Sequence, residues 1–273
     1  MFDQLLQTIP IWLLGWLILS AVMLALWWRQ TYTMNAGWVD VAWALGLGSL
    51  GVAFTITGDG WEPRRWLVGL CIGAWSLRLG LHLWERVGSE AEDGRYANLR
   101  RTWGRKADAR FFWFFQIQAL LALVLALPVL MLSGAELAGW RVVDVLALTL
   151  WVISLAGEGL ADRQLKKWRR GPSGRGRTCR KGLWKYSRHP NYFFEWLHWL
   201  MYPLIGIGLS GGAWLWLAPL LMLFLVCKVT GIPPTEEQSL RSRGDDYREY
   251  QRTTNAFFPG PPRAPSKPLA RTR

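Results

Sequence analysis

The feature of this sequence that most restricts its fold is a series of seven apolar stretches, each about as long as a bilayer is thick. A helix of about 20 apolar residues crosses a hydrocarbon core of about 30 Å. Backbone N–H and C=O groups in lipid must pair within the segment, so such spans are helices. We therefore predict an all-α integral membrane fold with seven transmembrane helices, at residues 8–28, 37–57, 64–84, 111–132, 140–160, 192–209 and 212–230.

The composition agrees with this prediction. Hydrophobic residues make up 51% of the chain, and its 20 Trp residues suit the membrane–water interface, where amphipathic rings collect. A net charge of +13 would suggest a nucleic-acid partner in a soluble protein. In a membrane protein, basic loops on the cytoplasmic side explain the same charge, so we expect no nucleic-acid partner.

The positive charges also predict the orientation. Residues 85–110, 161–191 and 231–273 carry 7, 11 and 8 of the 32 Lys and Arg residues. Cytoplasmic loops are rich in Lys and Arg, so we place the N-terminus outside and the C-terminus in the cytoplasm. The basic, Pro-rich tail at 259–273 is predicted to be disordered.

Several ionisable residues fall inside the apolar spans, where they are costly and usually functional. Arg78 and His82 are four residues apart and share one face of a helix. An Asp40–Arg78 ion pair would be purely structural. The functional alternative is a polar cavity open to the cytoplasm, with Asp40 or His82 as a proton donor. Asp144 and Lys228 lie near span ends, where we interpret them as snorkelling or loop residues.

The start of the sixth span holds the densest chemistry, the run Arg-His-Pro-Asn-Tyr at residues 188–192, followed by Glu195. Pro suits the first turn of a helix, so Arg188 and His189 lie just before the helix begins. Backbone N–H groups point outward there and favour an anion. Asn191 and Glu195 are four residues apart and are expected to contact the same ligand.

Basic residues precede this cluster and suit the binding of phosphates: Lys166, Lys167, Arg175, Arg177 and Arg180. The alternative is an ordinary basic loop that meets anionic lipid. Because the loop leads into residues 188–192 and Glu195, we favour a functional site.

Motifs for other site types are weak. The adjacent Glu236 and Glu237 follow a Pro pair, where they would cap a helix or accept hydrogen bonds from a ribose or an amide. The chain has only three His residues and no Rossmann or Walker motif. We therefore expect no metal.

The run Gly182-Leu-Trp-Lys-Tyr-Ser-Arg-His-Pro-Asn-Tyr-Phe with Glu195 resembles the C-terminal domain of the steroid 5α-reductase superfamily, most closely its bacterial branch. The Arg-His-Pro-Asn-Tyr piece also occurs in sterol reductases and isoprenylcysteine-type methyltransferases. Further landmarks extend from about residue 37 to residue 259: Trp38–Trp43, Arg78, Glu92–Tyr96, Ala161–Gln164, and Gly231-Ile-Pro with Glu236.

The resemblance implies a bacterial inner-membrane reductase that transfers hydride from NADPH to an enone-type lipid, such as a 3-oxo-4-ene steroid. Residues 1–258 would form a single seven-helix domain, with a cytoplasm-facing cofactor cavity in the half at about 140–258. The residues carried across to that cavity are Asp162, Gln164, Lys166, Arg177, Arg180, Arg188, His189, Asn191, Tyr192, Glu195 and Glu236.

Asp40 falls where the steroid reductases have a Glu that binds the substrate carbonyl. A protonated Asp40, or His82, would stabilise the developing enolate by a hydrogen bond. Two positions depart from the pattern. The position of the partner Tyr in the third span is Leu83, and Phe194 stands where Gly usually precedes the Glu.

Two other functions remain open from the sequence. The first is a membrane methyltransferase that uses S-adenosylmethionine, because its C-terminal pattern also contains adjacent Glu residues. The second is a non-enzymatic lipid-binding or scaffold protein. The seven spans, the long basic loop and the pair Asp162 and Gln164 favour the reductase.

Overall fold

The computed structural model describes residues 2–172 and 176–264, and it is all-helical in that part of the chain, as predicted. No strand occurs within the described residues. The helices are α1 (Phe2–Thr33), α2 (Trp38–Thr57), α3 (Glu62–Ser89), α4 (Gly94–Trp103), α5 (Ala107–Ser133), α6 (Val142–Arg170), α7 (Pro190–Trp199), α8 (Met201–Ile205), α9 (Leu217–Phe224), α10 (Ile232–Arg243) and α11 (Asp245–Thr253).

Six described segments are long and apolar enough to cross a membrane: Ile11–Thr33, Trp38–Thr57, Glu62–Ser89, Gly94–Ser133, Val142–Arg170 and Gly212–Arg243. They overlap six of the seven predicted spans. The protein is therefore built as a multi-pass integral membrane protein. Some helices extend well past the predicted span ends, as α6 does in reaching Arg170.

The sixth predicted span, residues 192–209, is not one continuous helix. Helix α7 ends at Trp199, and the five-residue α8 covers Met201–Ile205. Pro203 explains the interruption, because it lacks the N–H for a helical hydrogen bond and its ring crowds the preceding turn. Hydropathy alone does not detect such a break.

One compact unit comprises Met1–Val145 and Tyr202–Ala218. In this unit, α2 and α3 pack closely because small residues meet at their contact. A Cβ added at Gly48 would overlap Ser76, whose Oγ donates a hydrogen bond to the carbonyl oxygen of Ala44 at 2.8 Å. Small residues and interhelical hydroxyl hydrogen bonds hold helices together in lipid.

A buried ion pair closes one end of this unit. Arg64, at the start of α3, donates to both carboxylate oxygens of Asp144, at the start of α6, over 3.0 and 3.2 Å. Their side chains are 1% and 0% exposed. Arg141 also donates to Asp144, at 3.0 Å. Asp144 is thus a buried partner of two arginines, and its interpretation as a snorkelling or loop residue is wrong.

The other compact unit comprises Leu146–Met201 and Pro219–Arg273. The segment that leads into α7 is fixed from two sides within this unit. The indole Nε1 of Trp184 donates to the carbonyl oxygen of Ala161 in α6 at 2.9 Å. Tyr250 of α11 donates its hydroxyl hydrogen to the carbonyl oxygen of Trp184.

The first part of the predicted tail, residues 259–264, has no regular secondary structure. Two backbone hydrogen bonds join it to the rest of its unit. Gly260 N donates to Tyr186 O at 3.0 Å, and Arg263 N donates to Thr253 O at 2.7 Å. Residues 265–273, on which most of the disorder prediction rests, lie outside the described residues.

Candidate functional site

Helix α7 begins at Pro190, as its sequence suggested, and the residues before it are held by backbone hydrogen bonds. The N–H of His189 donates to Ser187 Oγ at 3.1 Å. The N–H of Arg188 donates to Asn255 O at 2.9 Å. Because Pro fixes its own backbone in the helical range, the first turn of α7 is set firmly.

Glu236 of α10 is the centre of a group we call the Glu236 network, comprising Glu236, Arg188, His189, Tyr247 and Gln251. Its Oε1 accepts hydrogen bonds from Arg188 Nε at 2.6 Å, His189 Nε2 at 3.2 Å and the Tyr247 hydroxyl at 3.3 Å. Its Oε2 accepts from Gln251 Nε2 at 2.7 Å. Both oxygens of a side chain that is only 14% exposed are therefore satisfied by protein groups, which join α7 to α10 and α11.

His189 belongs to this network as a neutral donor. Burial lowers the pKa of His189 below its ordinary value, although the hydrogen bond and the charge of Glu236 act in the opposite direction. The ring of His189 stacks on Tyr192, with centroids 5.4 Å apart. The Tyr192 hydroxyl lies 3.2 Å from Thr235 Oγ1. Both predicted ligand residues are thus packed against protein groups.

An unusual backbone brings Glu236 to this position. Leu225–Val229 form a π-helical turn, and Thr230 N donates at 2.8 Å to the carbonyl oxygen five residues before it. A Cβ at Gly231, which follows, would lie 2.6 Å from Val226 O. The Gly of the Gly231-Ile-Pro landmark therefore has a steric reason, and π-helical turns often occur near functional sites.

Asn191 of α7 is hydrogen-bonded on one side only. Its Nδ2 donates to Asp162 Oδ1 in α6 at 3.3 Å. A carboxylate accepts hydrogen bonds, so the amide must turn Nδ2 toward Asp162 and Oδ1 away from it. That Oδ1 is buried and accepts no hydrogen bond from any described residue. Such an unsatisfied atom costs about 1–3 kcal/mol, so it marks a place where a ligand donor would bind.

Phe194, the departure from the family pattern, is matched by a glycine on the facing helix. A Cβ added at Gly157 of α6 would overlap the Phe194 ring. The contact lies near the hydrogen bond between Asp162 and Asn191, because Gly157 is five residues from Asp162 and Phe194 is three from Asn191. The two helices therefore stay close despite the large side chain.

Three further predicted residues lie on these helices or support them. Gln164 Oε1 accepts a hydrogen bond from Leu183 N at 2.9 Å, so Gln164 holds the loop before α7 against α6. Lys166 is half-buried near the end of α6. Glu195 is half-buried in α7, one turn after Asn191 on the same face.

The predicted phosphate-binding arginines differ in their surroundings. Arg180 Nη2 lies 3.0 Å from Asp246 Oδ1 and 3.1 Å from Glu249 Oε2, both in α11. Arg188 is committed to the Glu236 network. Arg177 is exposed. Two of these three guanidinium groups therefore hold helices of their own unit.

Asp40 of α2 lies in a polar cluster of the other unit. Its Oδ1 accepts from the Tyr96 hydroxyl at 2.6 Å, and its Oδ2 accepts from Arg95 Nη2 at 3.1 Å. Arg86 lies 3.8 Å from the same Oδ2. Burial opposes ionisation of the neighbouring Asp93, but the charges and hydrogen bonds of Arg95 and Arg86 prevail and lower its pKa to about 2.

The sequence did not identify Tyr96 as a partner of Asp40. In the family pattern that Tyr lies in the third span, where this chain has Leu83, which is 9% exposed, beside the half-buried His82. The Tyr comes instead from α4, and its only signal was the Glu92–Tyr96 landmark. Tyr247 and Gln251 were also missed, because nothing local relates α11 to Glu236.

Within residues 2–172 and 176–264, no group of three or more His, Cys, Asp or Glu side chains has an arrangement suited to a metal ion.

The model of a protein family of unknown function, DUF1295, matches residues 26–254, which is most of the chain. The chain belongs to this family. DUF1295 is in the steroid 5α-reductase-like group, so the resemblance is confirmed at that level. An uncharacterised protein of Schizosaccharomyces pombe, C594.04c, is 27% identical over 264 residues, which cover 86% of this chain and 75% of that protein. No solved structure matches the chain.

Proposed function

We propose that this DUF1295 protein is an NADPH-dependent reductase that transfers hydride to the C=C bond of an enone-type lipid. The observation that carries the proposal is the buried Oδ1 of Asn191, an acceptor without a donor among the described residues. The carboxamide of a nicotinamide ring has an NH2 group that satisfies such an acceptor. Glu195, on the same face of α7, supplies a second acceptor, so these residues fit the cofactor.

Each residue at the nicotinamide end has a distinct role in this proposal. When bound, the reduced nicotinamide supplies the hydride. Asn191 holds the carboxamide, and Asp162 fixes the orientation of Asn191 through their hydrogen bond at 3.3 Å. The Glu236 network positions the first turn of α7 and does not itself contact the ligand.

The phosphate end involves fewer residues than the sequence suggested. Arg180 and Arg188 are engaged by carboxylates of α10 and α11. Arg177, whose side chain is exposed, is the predicted cation that we retain for the phosphates.

On the substrate side, we assign the hydrogen-bond donor to Tyr96 instead of Asp40. The Asp40 carboxylate accepts from both Tyr96 and Arg95, so the hydroxyl hydrogen of this pair belongs to Tyr96. Tyr96 has a single hydroxyl hydrogen, so it would exchange its hydrogen bond to Asp40 for one to the carbonyl oxygen as negative charge develops there. Asp40 would keep its hydrogen bond from Arg95, and His82 remains the second candidate.

The alternative methyltransferase rests on the adjacent glutamates and is less well supported. Glu236 is saturated by the Glu236 network, and Glu237 forms an exposed ion pair with Arg241 one turn later. Neither carboxylate is arranged as an open pair for S-adenosylmethionine.

We also propose seven membrane crossings in a bacterial inner membrane, with α7 and α8 together forming the sixth crossing. The N-terminus would lie outside and the C-terminus inside, because basic residues concentrate in alternate loops. Reporter fusions after residues 60, 110 and 264 test this topology. Cytoplasmic signals after 110 and 264 and a periplasmic signal after 60 are expected, and any reversed signal rejects it.

Thermal unfolding of detergent-purified protein tests the activity proposal. NADPH, NADH and S-adenosylmethionine are compared for the wild type, Asn191→Ala and Glu195→Ala, with Asn98→Ala of α4 as the control. A ligand that binds only the native state raises the melting temperature. We expect NADPH to stabilise the wild type and Asn98→Ala, and Asn191→Ala to bind it about 10–100-fold more weakly.

Stabilisation by S-adenosylmethionine alone would replace the reductase with the methyltransferase. A folded protein that responds to none of the three ligands would favour the scaffold function.

A further inference from the structure

The C-terminal end of α6 extends past the length that a bilayer core needs. Its 29 residues measure about 44 Å, against about 30 Å for the hydrocarbon core. The first 20 residues span that core, so Arg163–Arg170 reach the depth of the lipid headgroups. Charged side chains are stable at that depth, because water and headgroups solvate them.

Positive charge dominates this end of α6 and the loop that follows. Residues 163–194 contain no Asp or Glu. Among the described residues, seven cations of this region have exposed side chains: Arg163, Lys167, Arg169, Arg170, Arg177, Lys181 and Lys185. Arg177 is retained for the cofactor phosphates, and we call the other six residues the α6 basic surface. By contrast, the loop at 85–110 mixes 7 basic with 5 acidic residues.

Aromatic rings accompany this surface. Lys181 Nζ lies 5.6 Å from the centre of the Trp168 ring, and Lys185 Nζ lies 5.8 Å from that of Tyr186. Tyr186 is 44% exposed. Trp and Tyr are typical of the headgroup layer, where Lys side chains lie along apolar surface and extend their charge toward phosphates.

From these observations we propose that the α6 basic surface binds the phosphates of anionic phospholipid headgroups. The surface is positively charged, lies at the depth of the headgroups and has Trp and Tyr rings beside it, as expected of a site for lipid phosphates. The six cations are spread over an exposed helix end and loop, which suits several headgroups rather than one enclosed nucleotide. This proposal does not depend on the reductase activity.

Lipid titration of the full-length protein tests the proposal. Short-chain phosphatidylglycerol or phosphatidylcholine is added to detergent-purified protein, and the melting temperature is followed. We expect phosphatidylglycerol to stabilise the wild type, and salt to weaken the effect. The double variant Lys181→Gln with Lys185→Gln is expected to bind it about 30-fold more weakly, because each surface cation contributes about a fivefold gain in affinity for anionic lipid.

The matched control is Arg105→Gln with Lys106→Gln, which removes two exposed cations from the mixed-charge loop. We expect it to keep most of the response to phosphatidylglycerol. Equal losses in both double variants, or no loss in either, would overturn the proposal. Inorganic phosphate and NADPH are titrated in parallel. If the Lys181 and Lys185 variant loses affinity for NADPH and keeps it for phosphatidylglycerol, the surface belongs to the nucleotide instead.

Discussion

Glu236 and Asn191 both act on the position of α7, yet their hydrogen bonding is opposite. Glu236 accepts from four protein donors, whereas Asn191 Oδ1 accepts from none of the described residues. The sequence treated both as cofactor ligands. A charged residue of a motif can therefore have all its hydrogen-bonding capacity used within the protein, while a neutral neighbour carries the unsatisfied atom that a ligand needs.

The largest effect is expected from Glu236→Ala. This change leaves the Arg188 guanidinium, which is 11% exposed, without its carboxylate. Loss of one partner of a buried pair costs about 3–5 kcal/mol of unfolding free energy. The adjacent Glu237→Ala is the control, since Glu237 is 54% exposed and its ion pair contributes about 0–1 kcal/mol. Denaturant unfolding of both variants measures the difference. Equal free energies of unfolding would show that the Glu236 network does not stabilise the fold.

Gly157→Ala is expected to destabilise the protein by about 1–3 kcal/mol, because the added methyl group overlaps the Phe194 ring. Combination with Phe194→Leu should recover part of the loss, as measured by thermal unfolding. Gly88→Ala in α3 is the control, since a Cβ there meets no atom within 4 Å. A loss of the same size at Gly88 would show that the contact with Phe194 is not the cause.

Asn191→Ala is expected to behave differently from Glu236→Ala and to change the free energy of unfolding by about 1 kcal/mol or less. The lost hydrogen bond to Asp162 is offset by the removal of a buried, unsatisfied oxygen. Its effect should instead appear in NADPH affinity. If Asn191→Ala lowers the free energy of unfolding as much as Glu236→Ala does, Asn191 has a mainly structural role.

At pH 7 the smallest effect is that of His189, whose influence on stability appears only as the pH falls. Burial lowers the pKa of His189 in the folded protein, so the unfolded chain, with a pKa of about 6.5, takes up the proton first as pH falls. Neutral His189 makes its full contribution to the free energy of unfolding above pH 6.5. Below that pH the contribution is lost, by up to about 1.4 kcal/mol per pH unit. Melting temperatures between pH 8 and pH 5 should fall less steeply for His189→Gln than for the wild type. Parallel curves would mean that His189 is not responsible.

The sequence predicted the long helices well because apolar length is a local property. The prediction of one continuous helix for the sixth span was wrong, because hydropathy averages over Pro203 and ignores its missing N–H. The pairing of Asp162 with Asn191 was anticipated only as a shared cavity, through the family resemblance.

Hydrogen-bond partners that lie far apart in the sequence could not be predicted from it. Tyr96 reaches Asp40 from a helix predicted as loop, and Tyr247 and Gln251 reach Glu236 from another. Polar residues in short amphipathic helices carry no signal of which buried group they will satisfy. That choice is fixed only when the helices pack.

The ion pair between Arg64 and Asp144 sets a condition on how the chain is made. The two residues are 80 positions apart in the sequence, and synthesis proceeds at about 5–20 residues per second. Arg64 is therefore synthesised about 4–16 s before its carboxylate partner. During that interval the nascent first helices carry an unmatched cation. Asp144→Ala would leave Arg64 without this carboxylate in the finished protein as well.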